Sequence, residues 1–105
     1  WWADMPAIVK GFLDKVLLRT FAYMENRVGL LEGRLDIDEA LVISTSTAPT
    51  FYLKFVCGNF ITKAMLGHTM KGVGARRRRW VNCGKANLTT DEKRRGFLEG
   101  LGRYI

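Results

Sequence analysis

The fold is decided by the stretch WWADMPAIVKGFLDKV, residues 1–16. Two adjacent indoles lead into a segment that begins at a proline and carries apolar side chains at helical spacing. The apolar stripe consists of Ile8, Val9, Phe12, Leu13, Val16 and Leu17. Proline fits the first turn of a helix, and Asp4 is placed to cap or favour its positive end. The pattern predicts an amphipathic helix from about Pro6 to Arg19.

Two strands are predicted further along the chain. The run Ala40–Ile43 is continuously apolar, which is typical of a strand covered on both faces of a parallel sheet. A second strand is expected from about Ala75 to Asn82, where the alternation is weaker. The residues between the first helix and the first strand, Thr20–Asp38, mix charged and apolar side chains and predict an irregular connection.

Two more helices are expected. The first runs from about Phe51 to Leu66, with Gly58 and Asn59 weakening its signal. The second runs from about Thr90 to Arg103, where Thr89-Thr90-Asp91-Glu92 has the Thr-x-x-Glu spacing of a capping box.

The order helix, strand, helix, strand, helix is typical of an α/β fold with a parallel sheet. Two strands are few for three helices. We therefore expect residues 1–105 to form the C-terminal portion of a single doubly wound domain whose N-terminal strands lie outside this chain.

The composition is that of a globular domain, with 48% hydrophobic and 26% charged residues. Its longest apolar stretch is interrupted by Lys54, Asn59 and Lys63, so we expect no membrane insertion. Cys57 and Cys83 lack the spacing of a zinc site or a disulfide framework. We expect two free thiols in the cytoplasm and no metal.

The net charge of +7 owes much to the run Arg76–Arg79. Such a run is compatible with a nucleic-acid patch and with a solvated strand face that steers anionic ligands. No RNA-binding motif or set of stacking aromatics accompanies it, so we favour the second interpretation and expect no nucleic-acid partner. Asp36, Asp38 and Glu39 are interpreted as a solvated approach to the first strand, and His68 as a surface residue.

Two segments predict a ligand site. In an open parallel sheet, ligands bind outside the carboxyl ends of the strands. Trp1, Trp2 and Ala3 directly precede the first helix, and Thr45, Ser46 and Thr47 lie in the turn after the first strand. Indole faces can stack on a ring, and hydroxyls can bond its polar edge. The two segments together predict a flat ring ligand with polar edges.

Four segments carry a resemblance to a known family. They are Trp2–Val16, with its Pro-Ala-x-x-Lys-Gly core, Phe21-Ala22-Tyr23, Ile43–Tyr52 and Cys57-Gly58-Asn59. Together they resemble the flavodoxin-like NAD(P)H:quinone oxidoreductases. The resemblance implies a flavodoxin-like fold, bound FMN or FAD, NAD(P)H as reductant, a quinone or similar acceptor, and a homodimer.

The resemblance also implies roles for individual residues. Trp1, Trp2 and Ala3 would lie along the isoalloxazine, and Thr45, Ser46 and Thr47 would meet its polar edge. Tyr52 would stand near the ring's carbonyl side as the catalytic residue. Three other interpretations stay open: a flavodoxin-like regulatory subunit of a transport system, a basic nucleic-acid-binding module, and a truncated gene product without function.

Overall fold

The computed structural model describes residues 2–105. Trp1, and the site prediction that falls on it, lie outside the described residues. The elements in chain order are α1 (Ala7–Val16), β1 (Tyr23–Glu25), β2 (Leu31–Gly33), β3 (Ile37–Thr45), α2 (Thr50–Phe55), a π-helix (Ile61–Met70), α3 (Lys71–Val73), β4 (Ala75–Cys83), α4 (Asp91–Gly100) and a 3-10 helix (Leu101–Tyr104).

The two long strands, β3 and β4, pair in parallel. Their register runs from Ile37 opposite Ala75 to Thr45 opposite Cys83. The predicted apolar run Ala40–Ile43 forms the middle of β3, and the strand extends beyond it at both ends because the ladder continues there. The parallel pair confirms the predicted α/β class, and it brings the carboxyl ends of both strands to one edge.

The connection between β3 and β4 contains α2, the π-helix and α3 instead of the single predicted helix. The break falls at Gly58 and Asn59, which have φ angles of +80° and +53°. A left-handed conformation ends an α-helix, and glycine and asparagine adopt it most readily. The prediction of a continuous helix over Phe51–Leu66 was therefore wrong, at the two residues that had weakened its signal. Leu66 of the π-helix is buried, and this helix packs against β4.

The predicted irregular connection contains a β-hairpin, so that prediction was wrong. β1 and β2 pair antiparallel, with Tyr23 opposite Gly33. The Asn26 side chain closes the turn by accepting hydrogen bonds from the amides of Val28 and Leu30, at 3.0 and 2.9 Å. Strands of three residues are too short to show a period, which is why the sequence pattern did not reveal them.

The helix ends differ from prediction by a few residues. α1 ends at Val16 rather than near Arg19, and Asp4 bonds the amide of Met5 instead of capping the helix. The N-cap of α4 is Thr90, whose hydroxyl accepts a 3.4 Å hydrogen bond from the amide of Lys93. The predicted capping box, which needs Thr89 as the cap, was therefore wrong by one residue.

The buried core is small and lies where the hairpin, the π-helix and the start of β4 meet. Its members in the described part of the chain are Ala22, Leu66, Val73 and Ala75. The radius of gyration is 15.6 Å, against about 13 Å for a compact domain of this size. One apolar row of α1 is left in solvent, formed by Ile8, Phe12 and Val16.

Candidate functional site

The candidate site lies where β3 and β4 end side by side. The loop after β3 and the loop after β4 are joined by backbone hydrogen bonds. Ser46 donates its amide to the carbonyl of Cys83 at 3.0 Å and accepts from the amide of Ala86 at 2.9 Å. The amide of Lys85 donates to the carbonyl of Ala48 at 3.2 Å. The two loops therefore form one unit at the carboxyl edge of the sheet, the usual address of a ligand in this class of fold.

Thr45, Ser46 and Thr47 are brought together at this edge, but they are not equivalent. Thr45 is the last residue of β3 instead of part of the turn, and its side chain is exposed, as is that of Thr47. Ser46 is half-buried and donates its hydroxyl to the carbonyl of Ala48 at 2.7 Å. Within residues 2–105, the hydroxyls of Thr45 and Thr47 have no hydrogen-bond partner, so both are available to a ligand.

Sequence reasoning missed the side chain that organises this edge, Asn82 of β4. Its amide group bonds Ser44 at 2.8 Å, Ser46 at 2.9 Å and Thr50 at 3.0 Å. The indole of Trp80 adds a 2.9 Å hydrogen bond to Ser44, and the ammonium of Lys54 lies 5.6 Å from the centre of the Trp80 ring. The only sequence feature that could have indicated this role is the position of Asn82 at the carboxyl end of a predicted parallel strand.

Tyr52 lies in α2, the helix that begins directly after this loop. Its amide bonds the carbonyl of Pro49 at 3.1 Å, which fixes the tyrosine in the first turn. The side chain is 44% exposed. The structure thus places Tyr52 next along the chain from the Thr45–Thr47 group, with its phenol accessible to solvent.

Trp2 and Ala3 are exposed to solvent in the described structure. Both residues adopt positive φ angles, +51° and +63°. The Trp2 side chain is fully exposed, with a relative accessibility of 101%, so its indole faces are free of packing contacts. The described residues thus assemble the hydroxyl part of the predicted site, and the Trp2 side chain makes no packing contact with it.

The arginine run faces carboxylates of this chain. Arg76 is paired with Asp36 and Asp38, and Glu39 is paired with Arg77 and Arg79. The three carboxylates interpreted as a solvated strand approach are therefore ion-pair partners of β4. Much of the charge of the run is compensated within the sheet, which agrees with a strand face exposed to solvent.

Other features of the described residues add no second site. Two open depressions lie along α4 rather than at the strand ends. His68 is exposed, as predicted, although it lies in the π-helix instead of a turn. Residues 2–105 contain no cluster of side chains suited to hold a metal ion. Among the same residues, no helix has the length and apolar character needed to cross a bilayer.

A parallel β-ladder with a helical connection and hydroxyl side chains at its carboxyl edge is the architecture of an open α/β sheet, in which ligands bind outside the carboxyl ends of the strands. The model of a protein family with the flavodoxin-like fold matches residues 1–101. The chain therefore belongs to this family. The predicted family and fold class are thereby confirmed.

Individual relatives agree with this assignment. The chain is 26% identical over 102 residues to a protein of Haemophilus influenzae named an uncharacterized NAD(P)H oxidoreductase. It is similar to the crystal structure of Smu.1420 from Streptococcus mutans, with 29% identity, a TM-score of 0.82 and 99% of this chain covered. It is also similar to the NAD(P)H:quinone oxidoreductase from Methanothermobacter marburgensis, with 28% identity, a TM-score of 0.80 and 98% of this chain covered.

The chain spans about half the length of the relatives that it matches. It covers 49% of the Haemophilus protein, 54% of the Streptococcus protein and 50% of the Methanothermobacter protein.

Proposed function

We propose that this chain is the C-terminal portion of a flavin-dependent NAD(P)H oxidoreductase that reduces a quinone or similar acceptor. The proposal is carried by the hydroxyls of Thr45 and Thr47, which are exposed at the carboxyl edge of the parallel strands and have no hydrogen-bond partner among residues 2–105. The names of two relatives, an NAD(P)H oxidoreductase and an NAD(P)H:quinone oxidoreductase, support the same reaction class.

The residues at this edge fit the polar rim of a flavin. Hydroxyls both donate and accept, so Thr45 and Thr47 can bond either the carbonyls or the ring nitrogens of an isoalloxazine. The exposed indole of Trp2 offers a free face for a ring, with Ala3 beside it. When bound, FMN or FAD supplies the hydride and electron transfer itself.

The side chains of this chain would then orient the flavin and tune its reactivity. Thr45 and Thr47 would hold the polar edge of the ring, where a hydrogen bond would favour negative charge on the ring. The exposed Tyr52 would supply a proton near the ring's carbonyl side. No buried carboxylate or histidine is needed as an acid or base, in agreement with the surface position of His68.

Exposed apolar surface supports the proposal that further strands complete the domain. In residues 2–105, β3 pairs only with β4. The backbone on the other side of β3 is therefore free to pair with a further strand. The row Ile8, Phe12 and Val16 of α1 is also uncovered. Additional strands beside β3 would cover both surfaces, and we propose that the completed protein is a homodimer.

The test is made on the full-length protein. We expect the visible absorption of bound flavin after purification and NAD(P)H oxidation that depends on an added quinone. The double substitution Thr45→Val and Thr47→Val is expected to weaken flavin binding about tenfold or more, since each hydrogen bond contributes ~1 kcal/mol. Thr62→Val is the matched control, because Thr62 is also exposed but lies on the π-helix.

Three results would change the proposal. Bound flavin without turnover on any quinone would favour a regulatory subunit. Absence of flavin binding in the full-length protein would refute the proposal. Equal losses in the Thr62 control and in the double variant would remove Thr45 and Thr47 from the site.

A further inference from the structure

We propose that Asn82 is the positioning residue of the loop Thr45–Pro49. Its role is to hold Ser46 and the start of α2, so that the hydroxyls of Thr45 and Thr47 stay available at the strand edge. The flavin part of this inference rests on the proposed function, whereas the loop part rests only on the hydrogen bonds of the chain.

The donors and acceptors around Asn82 fix the direction of every bond. The indole N–H of Trp80 can only donate, so the Ser44 hydroxyl accepts from it and donates its own proton to Oδ1 of Asn82. The Asn82 amide nitrogen must then face the other way, toward Ser46 and Thr50, at 2.9 and 3.0 Å. Both amide protons are used, and the orientation of the amide group has no equivalent alternative.

The chain of bonds ends on the loop backbone. A carbonyl oxygen can only accept, so the proton of the Ser46 hydroxyl is committed to Ala48, at 2.7 Å. Ser46 is thus bound through its side chain as well as through its amide and carbonyl. The network is partly shielded from water, where hydrogen bonds in series strengthen one another.

The loop after β4 supports the same segment through Gly84. A Cβ added at Gly84 would lie 2.8 Å from the amide nitrogen and 2.8 Å from the hydroxyl oxygen of Thr50. The loop after β4 therefore presses directly on the first residue of α2. Asn82 and Gly84 together clamp the loop between Ser46 and Thr50, and the neighbouring Thr45 and Thr47 are left without partners in the described chain.

These contacts give Ser46 a different role from that of Thr45 and Thr47. Ser46 is engaged inside the protein and retains only acceptor capacity, while Thr45 and Thr47 keep both donor and acceptor capacity. Loss of Asn82 would free the loop without removing any group that touches a ligand. Its effect on flavin would therefore pass through the geometry of the loop.

The experiment compares Asn82→Leu with wild type in the full-length protein. Leucine keeps the branching at Cγ and removes every side-chain hydrogen bond of residue 82. We expect amide hydrogen exchange in residues 44–50 to rise about tenfold and the Kd for FMN or FAD to rise about fivefold or more, since a network bond contributes ~1 kcal/mol or more. The matched control is Asn87→Leu, because Asn87 is an exposed asparagine five positions beyond Asn82.

Further variants keep the proposal decidable. If Asn82→Leu does not fold, Ser46→Ala removes the loop side of the same network, and Ser46→Thr, which retains the hydroxyl, should restore slow exchange. Unchanged exchange in residues 44–50 would overturn the proposal. Faster exchange with unchanged flavin affinity would overturn its flavin part. A wild-type protein that binds no flavin would refute the proposed function, and the exchange rates would still decide whether Asn82 holds the loop.

Discussion

Arg79 donates its Nε–H to the carboxylate of Glu39 across the β3–β4 ladder. The direct partner of Glu39 in the register is Arg77, so the bond to Arg79 runs diagonally across the pair. Arg79 also donates a hydrogen bond to the backbone carbonyl of Tyr104 at 3.0 Å. Its guanidinium carbon lies 5.4 Å from the centre of the Tyr104 ring. One arginine thus ties the sheet to the C-terminal 3-10 helix.

The first prediction concerns acid stability. The hydrogen bond from Arg79, followed by the attraction of Arg79 and Arg77, holds the pKa of Glu39 below its usual value, against an opposing effect of burial. A pKa lowered in the folded state gives stability that is complete above the unfolded pKa of about 4.3 and is lost as pH falls through the folded pKa. We expect Glu39→Gln to lower the free energy of unfolding at pH 7 and to converge with wild type only as the pH falls through the lowered folded-state pKa of Glu39.

Denaturant titrations between acidic and neutral pH check this expectation. Glu99→Gln is the control, because Glu99 is exposed on α4 and forms no ion pair within residues 2–105. A Glu39→Gln variant whose loss of stability is the same at every pH would contradict the role given to the Arg79 bond.

The second prediction concerns nucleic acid. Alternate residues of a strand lie on opposite faces, so at most two of Arg76–Arg79 can meet one surface. Each phosphate contact contributes about −0.9 to the salt slope on duplex DNA, so we expect a slope shallower than about −2. Arg76→Gln with Arg78→Gln should weaken binding no more than Lys93→Gln with Arg95→Gln, an equal change of charge on α4.

Binding titrations at several salt concentrations decide between the two interpretations of the run. Nanomolar, sequence-selective binding at physiological salt, lost only in the strand variant, would instead support a nucleic-acid role.

The elements with a strong local signal were predicted well. The continuous apolar run Ala40–Ile43 and the helical period of the α1 stripe were both clear signals, and both lie in the expected element. The hairpin was missed because its strands depend on pairing with each other rather than on a pattern in either. The helix between the strands was divided at Gly58 and Asn59 by backbone conformation, which the sequence indicated only as a weak point.

The candidate site, like the fold, could be predicted only in part from the sequence. The hydroxyl side chains at the end of β3 could be predicted because they come directly after an apolar strand. The structure puts Thr45 and Thr47 at the carboxyl edge. The importance of Asn82 depends on the register that sets it opposite Ser44, 38 positions earlier. A contact between distant residues leaves no local pattern, so one sequence alone did not reveal it. The ligand roles of Thr45, Ser46, Thr47 and Tyr52 stay predictions.

The third prediction concerns Gly74, which joins α3 to β4. It has a φ angle of +116°, and an added Cβ would lie 2.0 Å from the carbonyl oxygen of Leu35. Both the conformation and the space require glycine, so Gly74→Ala should cost ~1–3 kcal/mol or more. Gly11→Ala is the matched control, because nothing lies within 4 Å of that position in α1. Alanine there should stabilise by up to ~1 kcal/mol, and thermal unfolding of both variants measures the contrast.

The fourth prediction separates two tryptophans. Trp2 is fully exposed, so Trp2→Ala should change the free energy of unfolding by less than ~0.5 kcal/mol. If its indole borders the flavin, the same variant of the full-length protein should retain flavin less well or reduce the acceptor more slowly. Trp80 is half-buried and hydrogen-bonded to Ser44, so Trp80→Ala should lose far more stability, toward the ~3–5 kcal/mol of a buried aromatic. Denaturant titration and turnover per bound flavin measure the two effects. A large stability loss for Trp2→Ala with unchanged turnover would assign Trp2 to packing in the full-length protein instead of to the flavin site.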